Sequence, residues 1–162
     1  MSEITPWIGL AGIRFGESRA TLRDRLGEYR SFRRTPDTSL IDHYMEAGLM
    51  LGFDESDRLD LIECTDWAEP SLAGVRLTGR PFGDVLTELA DRHVPFELDE
   101  SGCSLTGLGV SLYSPAPDEP DVDVEGVAIF SRSRDGEGES ERAELDDASP
   151  RESDPSQTQT LF

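Results

Sequence analysis

The same pattern of about 60 residues runs twice through this chain, and two copies of one unit constrain its fold more than any other feature. Gly12-Ile13-Arg14-Phe15 is echoed by Gly74-Val75-Arg76-Leu77. Each opening is followed by a short amphipathic segment and then by strand-like runs, beginning at Gly48 in the first unit and at Gly107 in the second. The units span about 10–68 and 72–130 of a chain of 162 residues. In the second, Phe82, Val85, Leu86, Leu89 and Ala90 fall at i, i+3, i+4, i+7 and i+8, one face of a helix entered through Pro81. In the first, Ser18 is the expected N-cap, Leu22 and Leu26 the stripe, and Gly27 the stop.

Strand signals are duplicated in register. Leu49, Leu51 and Phe53 alternate with Met50 and Gly52, as Leu108, Val110 and Leu112 do with Gly109 and Ser111. Asp54–Arg58 reads as a hairpin turn into a strand from Leu59 to Cys64, and a Pro-rich loop over 114–120 leads into a strand from Val122 to Phe130. Helices this short are not stable alone and must lie on a sheet. The expected fold class is therefore α+β: a tandem repeat of a helix packed on an antiparallel sheet, with the opposite sheet face partly open.

Residues 131–162 carry nine acidic residues and four arginines, and their only large apolar residues are Leu145, Leu161 and Phe162. Such a stretch buries too little apolar surface to offset ordering entropy, so it reads as a disordered acidic tail after a folded domain over 1–130. That domain holds 25 acidic residues and 11 arginines, a net charge of −14. The whole chain, which has no lysine, stands at −19. This field repels nucleic-acid backbones and anionic lipid heads, which excludes a simple electrostatic role at either. Its spread along the chain favours a solvated surface suited to a salt-rich, halophile-like cytoplasm; an acidic face aimed at a basic protein partner is the functional alternative. No apolar run approaches membrane-spanning length, and the opening residues lack signal-peptide character, so a cytoplasmic location and no membrane contact are expected. Cys64 and Cys103 read as reduced core thiols.

The run Gly12-Ile13-Arg14-Phe15-Gly16-Glu17-Ser18, with Leu22 and Leu26-Gly27, resembles the opening of small lipoproteins of the outer-membrane barrel assembly machinery. It also resembles the tandem-repeat β-lactamase inhibitor proteins, and 1–130 as a whole is similar to uncharacterised prokaryotic proteins with a double-repeat layout. The resemblance implies helices on one sheet face and, as in the inhibitors, binding through the other. The chain departs from those families in having neither a lipobox nor the inhibitors' disulfides, and no functional residue is carried over.

Chemistry is sparse. Nucleophile elbows and phosphate-cradling loops are absent, and His43 and His93 stand at no metal-ligand spacing. Asp121, Asp123 and Glu125 alternate with Val122 and Val124, so they would share one strand face; a charged solvent face is the preferred reading over a divalent-cation site. Tyr44, Asp66 and Trp67 are the remaining binding candidates, Tyr44 if it lies on the open sheet face. A half-buried core role is nevertheless the preferred reading for each of Tyr44, Trp67 and Trp7. The expectation is a non-enzymatic protein-binding module of immunity or inhibitor type that neutralises a basic partner, without cofactor or metal. The alternative is a small-molecule binder or enzyme with its site in the cleft between the two units.

Overall fold

A computed structural model describes residues 1–134, of which Met1–Ser131 form one compact unit. The expected tail over 131–162 falls, beyond Arg134, outside the described residues. The chain begins with β1 (Ser2–Thr5), β2 (Gly9–Leu10) and β3 (Ile13–Arg14), followed by α1 (Arg19–Leu26). Then come β4 (Arg30–Phe32), β5 (Ile41–Tyr44), β6 (Leu49–Phe53) and β7 (Leu59–Thr65). A 3-10 turn, Asp66–Ala68, leads to β8 (Pro70–Leu72), β9 (Val75–Arg76) and α2 (Phe82–Asp91). The chain continues through β10 (Phe96–Asp99), β11 (Gly102–Leu105), β12 (Val110–Tyr113) and β13 (Gly126–Phe130).

Eight strands form an antiparallel sheet in the order β10-β11-β12-β13-β7-β6-β5-β4, in which β7 and β13 are the central neighbours. A smaller sheet runs β3-β2-β1-β8-β9. It departs from the expected all-antiparallel arrangement, because β1 and β8 pair in parallel from Ser2 opposite Pro70.

The pleat sorts side chains by face, since partners across a ladder point the same way. One row of partners runs Tyr44, Leu49, Cys64, Val127, Leu112 and Cys103 across six strands of the large sheet. These residues belong to one buried core with Leu22 of α1, Phe82, Val85 and Leu89 of α2, and Ile4, Leu10, Leu72 and Val75 of the small sheet. The opposite row runs Met50, Glu63, Ala128, Ser111 and Ser104, all only partly buried. The sheet is therefore two-sided, with the core on one face alone.

Local chemistry sets the boundaries. The Ser18 hydroxyl accepts from the Thr21 amide at 3.2 Å, and the Gly27 amide, at φ 85°, closes α1 on the Arg23 carbonyl. In the turn before β7, Asp54 Oδ1 accepts from the amides of Ser56 (2.8 Å) and Arg58 (3.0 Å), the local bonding that suits Asp to turns.

The expected strand from Val122 is shorter than the alternation suggests. Residues 121–125 are a loop, bridged at Asp123 to Pro81, that straps the start of α2. Pro81 offers no side-chain cap, and the orphan amides of Phe82 and Gly83 donate instead to the carbonyls of Val122 and Pro120, each at 2.9 Å. The valines alternate with acids here because the loop needs Val124 in the core, not because it is a strand.

Candidate functional site

Three chain segments meet at the end of the large sheet where β5 turns into β6. The turn Met45–Gly48 is closed by the Gly48 amide on the Met45 carbonyl at 3.2 Å. Gly48 stands at φ 69°, and a Cβ there would lie 2.5 Å from Cβ of Trp67 and 2.6 Å from the Thr65 hydroxyl. Only glycine lets this turn and the 3-10 turn approach so closely. Asp66 anchors the latter, accepting from Arg76 Nη2 at 3.0 Å and from the Thr78 hydroxyl at 3.2 Å. Trp67, next in sequence, is held outward and is 76% exposed.

Two hollows flank these turns and share Glu46. One, of about 540 Å³, is lined by Tyr29, Arg30, His43 and Met45 beside Glu28. The other, of about 390 Å³, lies between the small sheet, the end of α1 and Trp67, with Glu69 on its lining. Met1, Met45 and Trp67 are among the most exposed apolar side chains described, and Tyr29 is also exposed. Apolar surface is thus gathered around three carboxylates, Glu28, Glu46 and Glu69.

Behind this surface is a buried ion cluster. Asp42, fully buried, accepts from Arg23 in bidentate fashion (Nε to Oδ2 2.8 Å, Nη2 to Oδ1 2.9 Å), from Arg19 Nη1 (3.1 Å) and from the Ser31 hydroxyl (2.8 Å). Burial would raise its pKa, but the bonds from Arg23 and Ser31 and the two guanidinium charges outweigh it and hold the carboxyl below its ordinary value. Arg19 also reaches Asp57 and the Leu40 carbonyl and lies 4.2 Å over the Phe53 ring. Arg23 lies 4.3 Å over Tyr29 and so fixes one wall of the larger hollow. Alternation and charge alone gave no sign of this cluster.

The six binding candidates scatter. Tyr44 is not on the open face: it is 1% exposed on the core side, its ring 5.8 Å from that of Tyr29. The β5 register sends His43 to the open side and its neighbour inward, which corrects the expectation of Tyr44 as a docking residue. Asp66 and Trp67 belong to the turn just described. Asp121, Asp123 and Glu125 are exposed on the loop strapping α2, not on one strand face. Among the described residues, no group of three His, Cys, Asp or Glu side chains is placed to hold a metal ion. Met45, which sequence reading passed over, joins Trp67 instead; its only sequence signal is an apolar residue inside a turn.

The Tyr44 hydroxyl is buried without a hydrogen-bond partner among the described residues, and burial and the nearby Asp42 charge push it up to about 12. Removing an unpaired buried hydroxyl relieves its desolvation penalty. Tyr44→Phe is accordingly expected to leave stability unchanged or raise it by up to about 1 kcal/mol; chemical denaturation measures this.

Cys64 and Cys103 are free, and both are buried. Burial, aided by Glu63 and Asp99 respectively, pushes each thiol up to about 12, so both are protonated and shielded near neutral pH. A thiol reagent at pH 8 is expected to label neither in the folded chain and both in denaturant. Labelling followed by mass measurement checks it.

Comparison with protein-family models, with curated proteins and with solved structures finds no match to this chain.

Proposed function

We propose that this chain is a non-enzymatic binding module that engages a basic protein partner through the surface around Met45 and Trp67. The observation that carries the reading is an exposed tryptophan beside exposed methionines and three carboxylates. Aromatic anchors of this kind dominate the energetics of protein interfaces. The surrounding charge, −14 over residues 1–130, would draw in a basic partner and speed association. An immunity or inhibitor role, covering a basic site on another protein in the cytoplasm, suits these features. No described helix is long and apolar enough to cross a membrane.

The duplicated-unit reading of the architecture belongs here as well. It is supported by the order β4-β5-β6-β7 meeting β13-β12-β11-β10, with one helix preceding each set of four strands. Both hollows are lined by residues of 1–69, so the surface proposed here is built on the first unit and the residues flanking it.

The test is affinity capture with the tagged full chain and with a variant carrying Glu28→Gln, Glu46→Gln and Glu69→Gln. The native chain is expected to retain a basic protein at low salt and to release most of it at about 1 M salt, where the screening length is about 3 Å. Equal retention by the triple variant would sink the proposal.

A further inference from the structure

We infer that the smaller hollow, beside Trp67, is a receptor for an arginine side chain presented by the partner; this rests on the binding reading above and specifies its ligand. The hollow joins two chemistries that few ligands match at once. Leu10, Ile13, Leu26 and Leu49 give it apolar walls, while Glu46, Glu69 and the indole of Trp67 complete its lining. An arginine side chain has the complementary form, an aliphatic stem ending in a cation. Its planar guanidinium can stack on an indole and bond a carboxylate in the same plane, which a lysine ammonium cannot do.

Four further observations point the same way. The volume, about 390 Å³, lies near the lower end of the roughly 300–1,000 Å³ typical of ligand sites, a size for a side chain and not for a large cofactor. Glu69 is already in the company of cations, with the Met1 ammonium at 3.6 Å and Arg76 at 3.9 Å, while Glu46 has no ion pair among the described residues. The carboxylates are half-exposed or exposed, so a cation can reach them without breaking buried bonds. Finally, the chain stacks guanidinium groups on rings within itself, Arg19 on Phe53 and Arg23 on Tyr29. Trp67 offers a ring of the same kind with its surroundings open.

The test uses three small probes of identical length: acetyl-Gly-Arg-Gly-amide and its citrulline and lysine counterparts. Each is titrated at constant ionic strength into the isotope-labelled full chain, and the two indole N–H resonances are followed. The arginine probe is expected to move the Trp67 resonance saturably. Trp7, whose indole donates to the Gly107 carbonyl at 3.1 Å, should stay still. Glu46→Gln should weaken the apparent affinity by about fivefold, the effect of losing one exposed charge partner. An equal response to citrulline, which has the shape without the charge, would overturn the inference. So would an equal response to lysine, or none at Trp67. If the arginine probe fails while Trp67→Ala still abolishes partner capture, the binding reading stands and the arginine assignment falls; if neither responds, both fall.

Discussion

Asp42→Ala is expected to destabilise the chain by about 3 kcal/mol or more, with a fall in melting temperature of roughly 10 °C. The reason is asymmetry. Asp42 is fully buried and accepts four hydrogen bonds, three from guanidinium nitrogens. Removing it leaves Arg19, itself 7% exposed, with Asp57, a backbone carbonyl and the Phe53 ring as its partners among the described residues. Removing Arg19 as well is milder, because no fully buried cation is then left behind and Arg23, whose side chain is 29% exposed, retains access to water. Asp42→Leu combined with Arg19→Met should therefore recover part of the loss, whereas two independent losses would add.

The pH dependence has a definite sign. The folded carboxyl titrates below its ordinary value, so its contribution is complete above the unfolded pKa, near 3.9, and is lost as pH falls through the folded one. Acid unfolding of the native chain should show this fall, and the Asp42→Ala chain should show a shallower one. Because Arg23 spans Asp42 and the Tyr29 ring, the same substitution should also loosen one wall of the larger hollow.

Trp67→Ala is expected to weaken partner binding by at least about 30-fold, some 2 kcal/mol, while changing folding stability by less than about 0.5 kcal/mol. The two effects separate because the side chain is 76% exposed and the turn that presents it is held by other groups. Asp66 is pinned by Arg76 and Thr78, and the amide and hydroxyl of Thr65 donate to the Gly48 carbonyl at 2.9 and 3.2 Å. Calorimetric titration of the captured partner, beside denaturant unfolding of the free chain, reads both. Leu98→Ala is the control: Leu98 is also exposed, at 65%, but on β10, where no proposed contact lies. A similar loss with Leu98→Ala would show that general exposure, not this surface, governs binding.

Much of the frame was legible because it is local. The apolar spacing of Phe82, Val85 and Leu89 marks α2, and Asp54 to Arg58 carries its own turn chemistry. What escaped was long-range or inverted. β1 pairs with β8 over strands too short to signal, and parallel partners leave no hairpin between them. Nothing in the sequence around Asp42 or Arg19 announces a partner 23 residues away. Alternation marks β6 from Leu49 to Phe53 but gives no such signal for β5, where a one-residue choice between His43 and Tyr44 decides which is buried. Asp121 to Glu125 alternates like a strand, yet the Val122 carbonyl accepts from Phe82 at the start of α2 and the Val124 carbonyl from Gly79 ahead of it. Trp67 stood out by residue type; Met45 and the two hollows exist only once β5, β6 and the 3-10 turn are brought together.

The most direct test of the binding surface is hydroxyl-radical footprinting of the full chain with and without its captured partner. Met45, Trp67 and Tyr29 are exposed and readily oxidised in the free chain, and their oxidation is expected to fall together in the complex. Protection confined to Met50 and Phe130 on the other sheet face, or to Leu98 and Tyr113, with Met45 and Trp67 oxidised as before, would contradict it.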